Sequence, residues 1–325
     1  MELRVALFGS SAISVPVFES IRTRHKVVLA VVSEEPKVRH GRVMPNPVQE
    51  WAVSHGIRTL NGVCVNAEEL GQQLAKERTD LLFLLSYGRI LPQALLDTPR
   101  LASINLHPSA LPLYRGAAPI ERQIMDGCRD SAVSIIRMNS HLDRGELLAQ
   151  EPFVIADSDY RVDVEASVIR VGALLALHVI DELSHGTATS LPQVGDGSYA
   201  RKVTAEDELI DWSQSVARVY NLVRALAPVP GACTHHGPER IRILRAIPLL
   251  QEPELPSSAE SGMLALFKRN RIAVRCGDGW LELLQVQFPG RTPLPTADLL
   301  NGRRLVPGTT LQRNPVRETL DRETY

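Results

Sequence analysis

Through the first half of the chain, short apolar runs alternate with apolar positions at helical spacing, the pattern of a mostly parallel sheet wrapped by helices. Leu3 to Phe8 and Val27 to Val32 predict buried strands, separated by a tight turn at Gly9-Ser10-Ser11 and a helix over Pro16 to Ile21. A charged loop with three prolines spans residues 33–47, and helices are expected over Val48 to Ser54 and Ala67 to Lys76. Leu81 to Leu85 is continuously apolar and reads as a central strand, buried on both faces, that ends at Tyr87-Gly88-Arg89. Ser103 to His107 is the next strand, Pro119 to Met125 a helix, and Val133 to Met138 a strand leading to Asp143. Val164, Val168, Val171, Leu175 and Val179 recur at helical spacing, so a long helix packs there and ends near Gly186.

After about Lys202 the character changes. A helix over Ser213 to Leu226 and a break at Pro228 to Gly231 precede four strand-like runs, Ile241 to Leu244, Met263 to Phe267, Ile272 to Cys276 and Leu281 to Gln287. Short strands at that spacing suggest a small β-barrel. His235-His236 reads as a solvated turn, and the chain beyond Leu305 as a loosely attached tail. The expected organisation is an α/β domain over 1–203, a barrel domain over 204–310 and a tail over 311–325.

Composition narrows the classes. At 325 residues, 44% hydrophobic and net charge −1, the chain can bury two cores, and its overall charge neither announces nor excludes a nucleic-acid partner. No apolar run is long enough to span a bilayer, and the N-terminus enters a strand pattern directly, so a cytoplasmic protein is expected. Cys64, Cys128, Cys233 and Cys276 are scattered without Cys-x-x-Cys spacing, so neither a disulfide framework nor a metal site is expected. Gly9-Ser10-Ser11 lacks the glycines that admit a pyrophosphate, and a nicotinamide cofactor is not expected.

The candidate chemistry lies in Ile104 to Ile120 and in Leu142-Asp143-Arg144-Gly145. Asn105 and His107 alternate at a strand end and so share one face. An amide and an imidazole at the edge of an apolar sheet cost stability unless they find partners, which points to a ligand or a reaction. Taken singly, Asn105 reads as well as a loop cap and Asp143 as a turn residue.

The run Asn105-x-His107-Pro108-Ser109-x-Leu111-Pro112-x-Tyr114-Arg115-Gly116-Ala117-Ala118-Pro119-Ile120, with Asp143-x-Gly145, resembles the folate-dependent formyltransferases. Ile210-Asp211-Trp212-Ser213, Pro230-Gly231-Ala232 and Asp298-Leu299-Leu300-x-Gly302-Arg303 extend that resemblance over nearly the whole chain, and within the family it favours the branch that formylates methionyl-tRNA. The resemblance implies a Rossmann-like catalytic domain, an OB-like second domain, 10-formyltetrahydrofolate as donor, initiator methionyl-tRNA as acceptor and a monomer. It implies Asn105, His107 and Asp143 as catalytic residues: Asn105 and His107 for the developing oxyanion, and Asp143 for orienting the imidazole and deprotonating the amine. It places the folate between Tyr87 to Pro92 and Asn139 to Asp143, with Tyr87, Arg89, Ile90, Leu91 and Asn139 lining the slot and Ser109, Leu111 and Pro112 its floor. Lys37, Arg39 and Arg42 fall where the family meets the tRNA acceptor end.

The chain departs from the family pattern at Ser10-Ser11, at Glu34-Glu35, at Ala110 and at His141. An amino sugar or another small amine as acceptor, hydrolysis of the same folate, and a binding module without turnover therefore remain rival readings.

Overall fold

In the computed structural model, residues 1–33, 37–39, 42–44, 46–249, 255–256, 258–268, 270–302 and 304–314 are described, those at 37–44 by their backbone alone. Contacts divide the chain into two units. One holds Met1–Pro119, Arg129–Ile155 and Asp163–Arg201, and the other Ile120–Cys128, Ala156–Val162 and the chain from Lys202.

The first unit begins with β1 (Arg4–Phe8), α1 (Ser14–Arg22) and β2 (Lys26–Val32). A short antiparallel hairpin, β3 (Lys37–Arg39) and β4 (Arg42–Met44), stands where a loop is expected. Then come α2 (Pro47–Ser54), β5 (Thr59–Asn61), α3 (Ala67–Lys76), β6 (Leu81–Leu84) and the single-turn α4 (Gln93–Leu96). β7 (Ala102–His107), β8 (Arg115–Gly116), β9 (Asp130–Arg137), β10 (Leu147–Val154) and α6 (Arg161–His185) follow, while α5 (Pro119–Asp126), between β8 and β9 in sequence, falls almost wholly in the other unit. α2 and α3 start where the sequence supplies caps. Asn46 accepts from Val48 N at 2.9 Å ahead of Pro47, and Asn66 accepts from Glu69 N at 2.9 Å, each satisfying an orphan donor of the first turn.

The seven-stranded sheet runs β10-β9-β7-β6-β1-β2-β5. From β5 to β7 it is parallel, while β9 is antiparallel to β7, and β10 to β9. The chain builds outward from β1 in one direction and then in the other, so the carboxyl ends of β1 and β6 flank a topological switch point with β7 beside it. β1, β6 and β7 are buried almost throughout, as unbroken apolar runs between two helical layers require. Leu106 faces α6, where Gly172 lets the helix approach: a Cβ there would lie 2.7 Å from Leu106 Cδ1. Asn105 and His107 therefore project from the opposite face of β7. Gly9 serves packing as well, since a Cβ would meet Leu85 O at 2.7 Å.

In the second unit, β11 (Tyr199–Ala200) of the first is followed by α7 (Val216–Leu226), β12 (Ala232–His236), β13 (Glu239–Leu249), β14 (Leu264–Phe267), β15 (Arg271–Arg275), β16 (Trp280–Gln287), β17 (Leu294–Pro295), α8 (Thr296–Asn301) and β18 (Leu311–Gln312). The antiparallel order is β14-β15-β16-β13-β12-β18. Leu264 N donates to Thr309 O at 2.8 Å, Gly308 N to Leu264 O at 2.7 Å and Leu311 N to Gly262 O at 2.8 Å, bonds that join the two ends and close the barrel. Its interior holds Ile241, Ile243, Ile272, Val274, Leu281, Leu283 and Val286, none of which is exposed.

Two expectations are corrected here. His235-His236 is not a solvated turn but the end of β12, with His235 buried and its Nδ1 3.0 Å from Arg313 O. The chain past Leu305 is not loosely attached as far as Gln312, because Leu305 and Leu311 are buried and β18 pairs with β12. Both depend on a pairing between positions about seventy residues apart, which local patterning does not carry. Among the described residues no helix is long and apolar enough to cross a membrane.

The four thiols differ sharply in environment. Cys64 is exposed, Cys233 is buried, and burial pushes the Cys276 thiol up to about 12. Because the thiolate is the reactive form, a disulfide reagent at pH 8 is expected to label Cys64 first in the native protein and Cys233 and Cys276 only on unfolding. Mass mapping of the labelled peptides checks this, and early labelling of Cys276 would contradict the barrel packing.

Candidate active site

β7 places Asn105 and His107 two residues apart on one buried face. The connection between β9 and β10 folds back over that face and delivers Asp143, whose carboxylate is only 8% exposed. Asn105 Nδ2 donates to Asp143 Oδ1 at 3.3 Å, and Gly116 N donates to Asp143 Oδ2 at 2.8 Å. His107 Nδ1 lies 3.7 Å from Asp143 Oδ2, an electrostatic contact longer than a hydrogen bond. On its other side His107 Nε2 is 2.8 Å from Tyr114 O. A carbonyl only accepts, so Nε2 carries the proton and Nδ1 is the ring nitrogen turned toward Asp143.

Three backbone features make this geometry. Asp143 has φ of 51° and Tyr114 of 57°, both left-handed, a conformation that costs a side-chain-bearing residue roughly 1–2 kcal/mol. Gly116, with φ of 115°, brings its N–H to the carboxylate while β8 pairs with β11, and a Cβ there would meet Ala200 O at 2.7 Å. Gly145 lies so close under β9 that a Cβ would stand 1.7 Å from Arg137 O. The loop after His107 turns repeatedly, with Ser109 N bonded to His107 O and Leu113 N to Ala110 O, both at 3.0 Å.

The other expected site residues separate into three groups. Ser109, Leu111 and Pro112 form a floor bonded from below: Ser109 Oγ donates to Leu113 O at 2.6 Å, Ser134 Oγ to Ser109 O at 2.6 Å and Gln150 Nε2 to Leu111 O at 3.1 Å. Tyr87 and Leu91 are buried in an apolar cluster, with the Tyr87 ring edge-on to Phe8 at 5.2 Å, and Arg89 donates to Gly62 O. Ile90 is 68% exposed, and Asn139 Oδ1 accepts from His141 N at 2.9 Å. Ser140 N donates to Gln93 Oε1 at 3.1 Å, so the segment after Tyr87 and the Asp143 loop are neighbours, each presenting an exposed apolar side chain, Ile90 and Leu142. The side chains of Lys37, Arg39 and Arg42 lie outside the described residues. Among the described residues no three His, Cys, Asp or Glu side chains group to hold a metal ion.

Two participants carried no sequence signal as site residues. Arg115 stands within the signature run, where nothing local marks its role, and Gln193 belongs to an unpatterned stretch after α6. Arg115 Nε is 3.1 Å from Asp143 O, and Gln193 Nε2 is 2.8 Å from the same oxygen. Burial first, and then the Arg144 charge, lower the Arg115 guanidinium from its ordinary value, with Asp143 opposing. It remains a cation.

The family profile described as formyl transferase matches residues 3–180, and that of the formyl transferase C-terminal domain matches residues 202–304. The chain belongs to the formyl transferase family. A methionyl-tRNA formyltransferase of Syntrophomonas wolfei is 33% identical over 318 residues, covering 95% of this chain and 98% of that protein. One from Thermus thermophilus is 34% identical over 310 residues, covering 95% and 99%. Among solved structures, HypX from Aquifex aeolicus in complex with tetrahydrofolic acid aligns with TM-score 0.67 at 17% identity, over 100% of this chain and 51% of that one. An N-formyltransferase from Helicobacter canadensis, solved with folinic acid and dTDP-3-aminofucose, aligns with TM-score 0.65 at 17% identity, over 86% and 98%. At that identity the structural likenesses establish a shared fold.

For this formyl transferase the Gly145 contact is a sensitive test of the loop. Gly145→Ala forces a methyl group into the Arg137 carbonyl and is expected to cost about 1–3 kcal/mol in chemical denaturation, with a parallel loss of turnover. A variant of parental stability and activity would show that the Asp143 loop does not depend on this approach.

Proposed function

We propose that this formyl transferase moves the formyl group of 10-formyltetrahydrofolate to the free amino group of initiator methionyl-tRNA in the cytoplasm, giving N-formylmethionyl-tRNA. The observation that carries the reading is the convergence of Asn105, His107 and Asp143 within 4 Å on one buried face, in a chain whose similarity to methionyl-tRNA formyltransferases runs through both domains.

The residues present suit the folate. The neighbouring loops after β6 and β9 expose Ile90 and Leu142, apolar surface of the kind a pterin ring covers, beside a floor of backbone groups at Ser109 to Pro112. Ile90 and Leu142 would flank the donor, and Asn105 would face its formyl group. When bound, the folate would supply the formyl carbonyl that the amine attacks, and the bond from the formyl carbon to the folate nitrogen would break as a proton lost by the amine passes to that nitrogen, leaving tetrahydrofolate.

Asn105 Nδ2 spends one N–H on Asp143 Oδ1 and offers the other to the oxygen on which negative charge develops. His107 is fixed by Tyr114 O at Nε2, so it exchanges protons through Nδ1, on the side of Asp143. Asp143 accepts two hydrogen bonds that hold its carboxylate in place, facing His107 Nδ1 and set to take a proton from the incoming amine. The buried setting strengthens each of these interactions relative to water.

The rival acceptor, an amino sugar, is favoured by the fold shared with the Helicobacter canadensis enzyme. Against it stands the match of residues 202–304 to the family's C-terminal domain and the coverage of 98% and 99% of the methionyl-tRNA formyltransferases. A single-turnover assay with enzyme in excess, 10-formyltetrahydrofolate and charged initiator tRNA is expected to yield formyl-methionine rapidly. Asp143→Asn is expected to slow it by on the order of 10²–10⁴-fold while folate binding is largely kept. Formylation of a nucleotide-linked amino sugar with the tRNA left untouched would overturn the acceptor, and near-parental turnover by the variant would remove Asp143 from the mechanism.

A further inference from the structure

Gln193 lies between α6 and β11, about fifty residues from Asp143 in sequence, and its side chain makes four hydrogen bonds around that residue. Its Nε2 donates to Asp143 O and to Gly145 O, both at 2.8 Å. Its Oε1 accepts from Arg115 Nε at 3.1 Å and from Arg115 Nη2 at 2.6 Å. The amide has one orientation available, because each end faces only groups of the complementary kind. Arg115 Nε is shared with Asp143 O at 3.1 Å, so among the described residues both donors to that carbonyl belong to this pair. Gly197 leaves room for the guanidinium, since a Cβ there would fall 2.6 Å from Arg115 Nη1.

Asp143 needs such a brace. Its φ of 51° is a conformation that persists only where surrounding contacts over-determine it, and relaxation to a negative φ would swing the carboxylate away from His107. Gln193 and Arg115 grip the backbone and leave both carboxylate oxygens to Asn105 and Gly116.

We infer that Gln193 is a positioning residue for formyl transfer, its side-chain amide locking the left-handed Asp143 backbone so that the carboxylate is presented to Asn105 and His107. The inference rests on the catalytic reading of Asp143. Because Gln193 acts through Asp143, it affects the chemical step more than the binding of either substrate, and its effect disappears when the Asp143 carboxylate is gone.

The test uses the full chain in the single-turnover assay with 10-formyltetrahydrofolate and charged initiator tRNA. Gln193→Ala removes all four bonds, and Gln193→Glu keeps the acceptor for Arg115 while losing the donor to the two carbonyls. Both are expected to lower the transfer rate by on the order of 10- to 100-fold, the scale of a misplaced catalytic group, with the concentration dependence on each substrate and the unfolding midpoint little changed. In an Asp143→Asn background Gln193→Ala is expected to change the residual rate by less than about twofold. A near-parental rate for Gln193→Ala, or an equal fall in both backgrounds, overturns the inference. Gln193→Met, which keeps the side-chain length, replaces the alanine variant if that fails to fold, and the same outcomes apply. If Asp143→Asn with Gln193 intact keeps parental turnover, the catalytic reading of Asp143 fails, an outcome distinct from a near-parental rate for Gln193→Ala with Asp143 intact, which overturns the inference alone.

Discussion

Burial of a carboxylate, an amide and an imidazole on one face of β7 is the constraint from which the architecture of the first unit follows. Each polar atom removed from water must be given a partner, or the site costs more than the sheet can return. β7 meets half of the demand by alternation, sending Leu106 into α6 and Asn105 and His107 the other way. The remainder comes from loops. The Tyr114 carbonyl satisfies His107, the Gly116 amide and Asn105 satisfy Asp143, and the segment around Ser198 satisfies the Tyr114 and Arg115 amides at 2.8 and 3.0 Å. The strained residues sit inside this network, where rigidity is most useful to a reaction that needs fixed donors.

Much of this was legible in the chain. Apolar runs marked β1, β2 and β6, a mostly apolar run marked β9, the alternation of Asn105 and His107 with apolar residues marked β7, and the valine and leucine spacing from Val164 marked α6, because burial leaves a compositional trace. What escaped was short or one-sided. β5 has three residues, α4 four, and β10 is an edge strand with Pro152 and an exposed stretch at its centre that breaks any two-residue period, so none fills a periodic window. β12 escaped for another reason: its histidines look like surface residues until β18 pairs with them.

The site followed the same division. Asn105, His107 and Asp143 were visible because side chains of those types act through their own atoms. Gln193 was invisible because it works on main-chain carbonyls, which every residue has and no composition reveals. Tyr87 and Leu91 show the converse: their position at a strand end suggests a ligand, while their surfaces are largely used by the apolar cluster that holds β6 against β1.

The departures from the family pattern gain meaning from their hydrogen bonds. At one of these departures, Ser10, the Oγ accepts from Ser33 N at 2.9 Å while the carbonyl accepts from Asn46 Nδ2 at 3.0 Å. Ser33 and Asn46 stand on either side of residues 34–45, and Asn46 also caps α2. One serine after β1 therefore ties both flanks of that segment to the carboxyl end of a central strand, on the side of the sheet where β7 ends at the candidate site. A hydroxyl and a carbonyl are all this junction requires, and the acidic pair Glu34-Glu35 lies in the sequence between the two anchored flanks.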